Sequence, residues 1–126
     1  MGGLEFQRKF CKRLWNDGYW ALEIARDSRG AQPFDVLAMK DNHVLAVDCK
    51  VCSSKGARFP LTRIEDNQWS AFMTVSERTD AIVGIVVWYD ESVYFVHYET
   101  LFDAYRHGDK SINILSDGMY WFYIGG

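Results

Sequence analysis

Asp35 and Asp48 each interrupt an apolar stretch, FDVLAM over 34–39 and VLAVDCKV over 44–51. A carboxylate inside such a strand is costly unless it is paired or bound to a cation. Lys50 follows Asp48 by two residues, so in a strand it points to the same face. If the two strands form a hairpin, both carboxylates converge at one end of it. Two acceptor-only oxygen groups beside an ammonium suit a hard divalent cation and a water-derived nucleophile. The cation would hold a scissile phosphate oxygen and lower the pKa of bound water. The lysine would orient that water or offset charge in the transition state. The same three residues could instead form a salt-bridged sheet edge.

The hydrophobic pattern supplies elements that can position them. Phe6, Phe10 and Leu14 recur every four residues, with Arg8, Lys9, Lys12 and Arg13 off that stripe, which predicts a helix over 3–16 closed by Gly18. A strand is predicted over 19–25 and a loop over 26–33. Strands over 34–39 and 44–51 join through the polar turn 40–42. The segment SSKGARF (53–59) has the composition of a flexible basic loop. Trp69, Phe72 and Met73 mark a helix over 65–76. AIVGIVVW (81–88) is the near-continuous apolar run of a strand covered on both faces. Asp90 and Glu91 turn into its partner, 92–98. A short helix over 99–107 and a strand over 119–124 follow. The aromatics Trp88, Tyr89, Tyr94, Phe95 and Tyr98 read as sheet core. The class is α/β, a mixed sheet flanked by helices in the order α-β-β-β-α-β-β. With no repeat or Pro/Gly-rich linker, residues 1–126 read as one domain of a size able to bury a core.

Pro33-Phe34-Asp35, a short hairpin and Asp48-Cys49-Lys50 resemble the PD-(D/E)XK nuclease superfamily, whose fold is that of the restriction endonucleases. Arg26-Asp27-Ser28 precedes the first element much as an arginine and a serine do in archaeal-type Holliday junction resolvases. Phe59-Pro60-Leu61, then Asn67-Gln68 opening a helix, then an apolar and a Tyr-rich strand resemble the RecU resolvases. This resemblance covers residues 2–102. It implies a Mg²⁺-dependent endonuclease, with Mn²⁺ able to substitute, in which Asp35, Asp48 and the Cys49 carbonyl hold the metal. It further implies that Glu5 on the first helix assists them, that Lys50 is the catalytic cation, and that Gln68 positions water or phosphate. Two symmetric cuts in a branched DNA imply a homodimer. The chain departs from the pattern in placing Phe34 between Pro33 and Asp35, aspartate at 48, cysteine at 49, and Asn67 before the glutamine. Two other readings stay open: a catalytically silent DNA-binding or interaction module on the same fold, and a nuclease for nicks, flaps or single strands.

The net charge of −3 argues against a nucleic-acid partner, but its distribution argues for one. Residues 1–63 hold 11 Lys/Arg against 7 Asp/Glu, and residues 64–126 hold 3 against 10. Such asymmetry suits one face built for an anion. Arg26, Ser28, Arg29, Lys55, Arg58 and Arg63 are the candidate phosphate contacts around the motif; each alone could be plain surface. Three cysteines, Cys11, Cys49 and Cys52, are too few and odd in number for a disulfide framework. Cys49 and Cys52 form a C-x-x-C, yet at a strand end and with no second such pair. His43, His97 and His107 show no ligand spacing. No apolar run approaches the ~20 residues that span a bilayer, and the charged N-terminus is unlike a signal peptide. An intracellular, cytoplasmic protein without a membrane partner is expected.

Overall fold

A computed structural model describes residues 1–25 and 32–124. The predicted loop over 26–33 falls largely outside the described residues. A six-stranded sheet runs in the order β1-β2-β3-β5-β6-β8. Its strands are β1 (Trp20–Glu23), β2 (Val36–Lys40), β3 (His43–Val51), β5 (Ile82–Tyr89), β6 (Ser92–His97) and β8 (Met119–Tyr123). Only the β3–β5 pairing is parallel; the other neighbours are antiparallel. The mixed α/β sheet flanked by helices is thus the expected class.

Helix α1 (Gly3–Asn16) lies on one face of the sheet, burying Phe6, Gln7, Phe10, Cys11 and Leu14. It stops where predicted. Gly18 adopts φ 94°, a left-handed conformation glycine takes without a Cβ clash. The Gly18 and Tyr19 amides then donate back to the carbonyls of Trp15 and Leu14, at 3.1 and 2.9 Å. Helices α2 (Asp66–Arg78) and α3 (Tyr98–His107) cover the other face. There Phe72 and Leu101 pack against Val83, Ile85 and Val87 of β5. Val86 faces the α1 side, which explains the unbroken apolar run of this strand. Both predicted hairpins form, and their turns put non-glycine residues at positive φ, Asp41 at 54° and Asp90 and Glu91 at 50° and 65°.

The segment expected to be a flexible loop, 53–59, is ordered structure. It holds a 3-10 turn (Lys55–Ala57) and strand β4 (Arg58–Pro60), followed by a second 3-10 turn (Leu61–Arg63). β4 pairs antiparallel with β7 (Ser111–Asn113), Phe59 opposite Ile112. Phe59 and Ile112 are both buried, and this burial outweighs a local composition rich in Ser, Lys and Gly. The stretch after 107 likewise contains β7 and a short helix α4 (Ile114–Asp117), capped by Asn113 Oδ1 accepting from the amides of Leu115 and Ser116. A strand of three residues carries too little alternation to be read from sequence.

Candidate active site

Among the described residues, the buried polar side chains are Gln7, Asp35, Asp48 and Gln68. Asp35 sits just before β2, with its backbone fixed on both sides. Its amide donates to the Val47 carbonyl at 2.9 Å, and its carbonyl accepts from the Ile24 amide at 2.8 Å. Its side chain reaches β3, where Oδ2 accepts the Cys49 amide at 2.8 Å. One carboxylate is thereby locked against the central residue of the D-x-K run.

Asp48 lies on the α2 face of β3, and Lys50 projects from the same face. The Lys50 ammonium is 2.9 Å from Asp48 Oδ2. Oδ2 is buried, and this ammonium is the cation beside it. The Lys50 ammonium also donates to the Arg63 carbonyl at 3.2 Å. Burial, and next a hydrogen bond with the Asp35 carboxyl, push the Asp48 carboxyl up to about 7. The Lys50 charge acts in the opposite direction, and the Asp35 charge adds to the rise. Two adjoining buried carboxyls with one ammonium between them and solvent are a costly arrangement in an apo protein and a natural one for a cation. The donor set is all oxygen, as a hard divalent metal requires. Among the described residues, no group of three or more His, Cys, Asp or Glu side chains is placed to hold a metal. The protein's acidic donors at this centre are therefore Asp35 and Asp48, with main-chain oxygen, water and substrate phosphate left to complete a shell.

The other expected site residues distribute differently. Glu5 is exposed on the first turn of α1, where a carboxylate complements the helix dipole. The polar α1 residue on the sheet side is Gln7, whose Nε2 donates to Glu23 Oε1 of β1 at 3.2 Å. Sequence reasoning passed over Gln7; its only signal was its place beside the stripe of Phe6, Phe10 and Leu14. Gln68 is buried at the start of α2, and its Oε1 accepts the Glu65 amide at 3.1 Å. Together with the Glu65 side chain it forms a capping box. The Gln68 oxygen is thus committed to the cap, and its amide nitrogen is the end able to donate to a ligand.

Lys55 and Arg58 are exposed on the ordered β4 segment. Arg63 is exposed too, but its guanidinium donates to the Val51 carbonyl at 2.9 Å and lies 5.0 Å from the Phe59 ring centroid. Arg26, Ser28 and Arg29 lie outside the described residues. Cys49 and Cys52 are free thiols in different cores, Cys49 on the α1 side and Cys52 on the α2 side. They form no disulfide. Burial, then the charges of Asp35 and Asp48, hold the Cys49 thiol well above its ordinary range.

An acid entering one strand of a hairpin, D-x-K on the next, and a sheet between one helix and a helix pair define the chain as a nuclease of the PD-(D/E)XK class. Within that class, the sequence profile of the archaeal Holliday junction resolvase (Hjc) family matches residues 2–115. The chain belongs to this family of structure-selective DNA endonucleases, whose reaction is metal-dependent. No curated protein sequence matches it. Its fold is similar to that of Archaeoglobus fulgidus Hjc, a Holliday junction resolvase from an archaeal hyperthermophile. The two superpose with a TM-score of 0.69 over 94% of this chain and 95% of that one, at 18% identity. Of the two resolvase groups that the sequence resembles, the archaeal one is the family it belongs to. Among the described residues, no helix is long and apolar enough to cross a membrane.

Proposed function

We propose that this chain, acting as one nuclease domain over residues 1–126, cuts branched DNA in a Mg²⁺-dependent reaction centred on Asp35, Asp48 and Lys50. The observation that carries the reading is the buried Asp48 carboxyl, set against both the Asp35 carboxyl and the Lys50 ammonium. Asp35, Asp48 and the Cys49 carbonyl are the residues that would hold the ion. When bound, Mg²⁺ supplies positive charge to the cleaved phosphate and acidifies a coordinated water. The Asp35 side chain fixes the Cys49 peptide, and so the placement of the strand between the two carboxylates. Lys50, its side chain largely removed from solvent and held by the Arg63 carbonyl, presents an ammonium where negative charge builds during in-line attack. The Gln68 amide nitrogen is a donor for the water or the phosphate. Lys55 and Arg58, exposed on the segment that also holds Lys50, supply charge for the flanking backbone.

Four-way junctions need two symmetric cuts, so the active species is a homodimer. Exposed Trp20, Met39 and Val44 stand in register on the Asp48 face of β1, β2 and β3, and Leu22 lies beside them; such apolar surface supports self-association. Action on DNA supports an intracellular, cytoplasmic protein. A panel of end-labelled four-way junctions, flaps, nicked and linear duplexes, with and without Mg²⁺, tests the whole reading. Selective, paired cleavage of the four-way junction only with metal is expected. Equal cleavage of linear duplex would remove the junction assignment, and undiminished cleavage after chelation would remove the metal.

A further inference from the structure

The catalytic end of the sheet carries a second feature that the chemistry above does not use. Beside the start of α2 lies a cleft of about 720 Å³, walled by Thr62, Ile64, Asp66, Trp69, Tyr105 and Lys110. Its position is fixed by the same segment that holds the catalytic lysine. Arg63 sits between two of the wall residues, and its carbonyl accepts from the Lys50 ammonium at 3.2 Å. On the far side, the Leu61 amide donates to the Lys110 carbonyl at 2.9 Å, joining this wall to the stretch after α3. The cleft wall thus includes both sequence neighbours of the residue whose carbonyl holds the Lys50 ammonium.

The chemistry of the walls selects among the parts of a DNA strand. Trp69 and Tyr105 present aromatic surface, with ring centroids 5.1 Å apart, and Tyr105 is 57% exposed. Exposed aromatic faces beside a nucleic-acid site stack unpaired bases. Asp66 and Asp109 also line the cleft. Two carboxylates repel a phosphate but accept hydrogen bonds from the exocyclic amino groups of adenine, cytosine or guanine. Lys110 adds one donor for a base carbonyl or ring nitrogen. The volume lies in the range of small-molecule sites and is ample for one nucleoside. A base that is paired and stacked in a duplex could not enter; a branch point offers bases that are already strained.

We propose that this cleft binds one unpaired nucleobase of the DNA, that of a nucleotide flanking the phosphate held at Asp35, Asp48 and Lys50. Branch selectivity then comes in part from the ease with which that base leaves its stack. The proposal rests on the assignment of Asp35, Asp48 and Lys50 as the cutting centre, and the two can be tested apart.

The test is a double comparison of binding in Ca²⁺, which holds cleavage off. Wild type and Tyr105→Ala are titrated with four-way junctions that carry either a normal base or an abasic site at each nucleotide flanking the mapped cut. For wild type, removing the base at one flanking position is expected to weaken binding roughly tenfold, as the loss of one stacked base implies. Tyr105→Ala should bind the intact junction that much more weakly and be indifferent to base removal, and Tyr105→Phe should restore the dependence. A wild-type protein insensitive to the missing base overturns the proposal. So does a sensitivity that survives undiminished in Tyr105→Ala, which would place the base elsewhere. Failure of the catalytic assignment shows separately, as Mg²⁺-dependent cleavage of the intact junction by Asp48→Asn.

Discussion

Lys50 and Arg63 hold one another in place: the Lys50 ammonium donates to the Arg63 carbonyl at 3.2 Å, and the Arg63 guanidinium donates to the carbonyl of Val51, the residue after Lys50, at 2.9 Å. The segment after β4 is thereby laced to the end of β3 at the point where Lys50 emerges. Arg63 was expected from sequence to touch phosphate. One guanidinium nitrogen donates to Val51 and the group lies 5.0 Å from the Phe59 ring centroid; we propose that Arg63 also acts as a positioning residue.

Arg63→Ala should therefore slow single-turnover cleavage by about tenfold to a hundredfold, the usual effect of misplacing a catalytic group by about an ångström. Junction affinity should change much less. Arg63→Lys, which keeps one donor for Val51, should recover part of the rate. Parallel loss of affinity with an unchanged cleavage rate would return Arg63 to the role of phosphate contact.

Asp35→Asn, Asp48→Asn and Lys50→Ala should each reduce cleavage to background while junction binding persists in Ca²⁺. Asparagine at 35 can still accept the Cys49 amide, so the strand geometry survives and only the charge is lost. Circular dichroism checks the fold, and gel assays with and without Mg²⁺ check the activity. Wild-type rates in any of the three would show that the cutting centre lies elsewhere.

The raised Asp48 carboxyl fixes a pH dependence. Its ordinary value is 3.8 and its folded value is about 7, so between these limits the native state keeps a proton that the unfolded chain has released. The unfolded state then binds fewer protons, and apo stability falls as pH rises from about 4 to about 7. The integrated loss is on the order of a few kcal/mol. A cation must displace the same proton, so Mg²⁺ or Mn²⁺ affinity should climb by about tenfold per pH unit over this range and level off above it. Thermal melts at several pH values, with and without metal, measure both slopes. Asp48→Asn should flatten them.

Gly84 lies in the middle of β5, opposite His97. A Cβ there would collide with the Val96 carbonyl and press on the Phe95 ring. Neither can withdraw easily, because both belong to the paired strand β6. Gly84→Ala should destabilise the fold by about 1–3 kcal/mol, as overpacking in a core does. Urea denaturation would measure it, and an unchanged midpoint would mean that the strands can separate at no cost.

The sequence discloses the parts of this fold that depend on local periodicity. The α1 stripe, the two hairpins and the covered strand β5 all follow from residue spacing, as does the convergence of Asp35 with Asp48. The parts it conceals depend on distant partners. Phe59 becomes a strand residue only because Ile112 lies opposite, more than fifty positions away. Arg63 folds back along the surface because the Val51 carbonyl at the end of β3 accepts from it. Gln7 is buried by tertiary packing of α1, and nothing in its immediate neighbours distinguishes it from exposed Glu5.

The same tertiary logic decides the cysteines. Adjacent in sequence as a C-x-x-C, Cys49 and Cys52 fall into cores on opposite faces of the sheet, so they act as two separate buried thiols. Burial, and for Cys49 the neighbouring carboxylates, raise the thiols of Cys11 and Cys49, and a thiol that stays protonated is a poor nucleophile. Cys52 is buried with its Sγ donating to the Arg58 carbonyl at 3.4 Å. Thiol titration of the native protein should therefore be slow at all three sites and complete only after denaturation. Cys49→Ala should keep most cleavage activity, since the proposed metal contact is its backbone carbonyl. Cys52→Ser should do so as well, because a hydroxyl can also donate to the Arg58 carbonyl. Loss of Mg²⁺-dependent cleavage in Cys49→Ala, with the melting temperature unchanged, would show that the sulfur itself takes part and would end the assignment of an all-oxygen site.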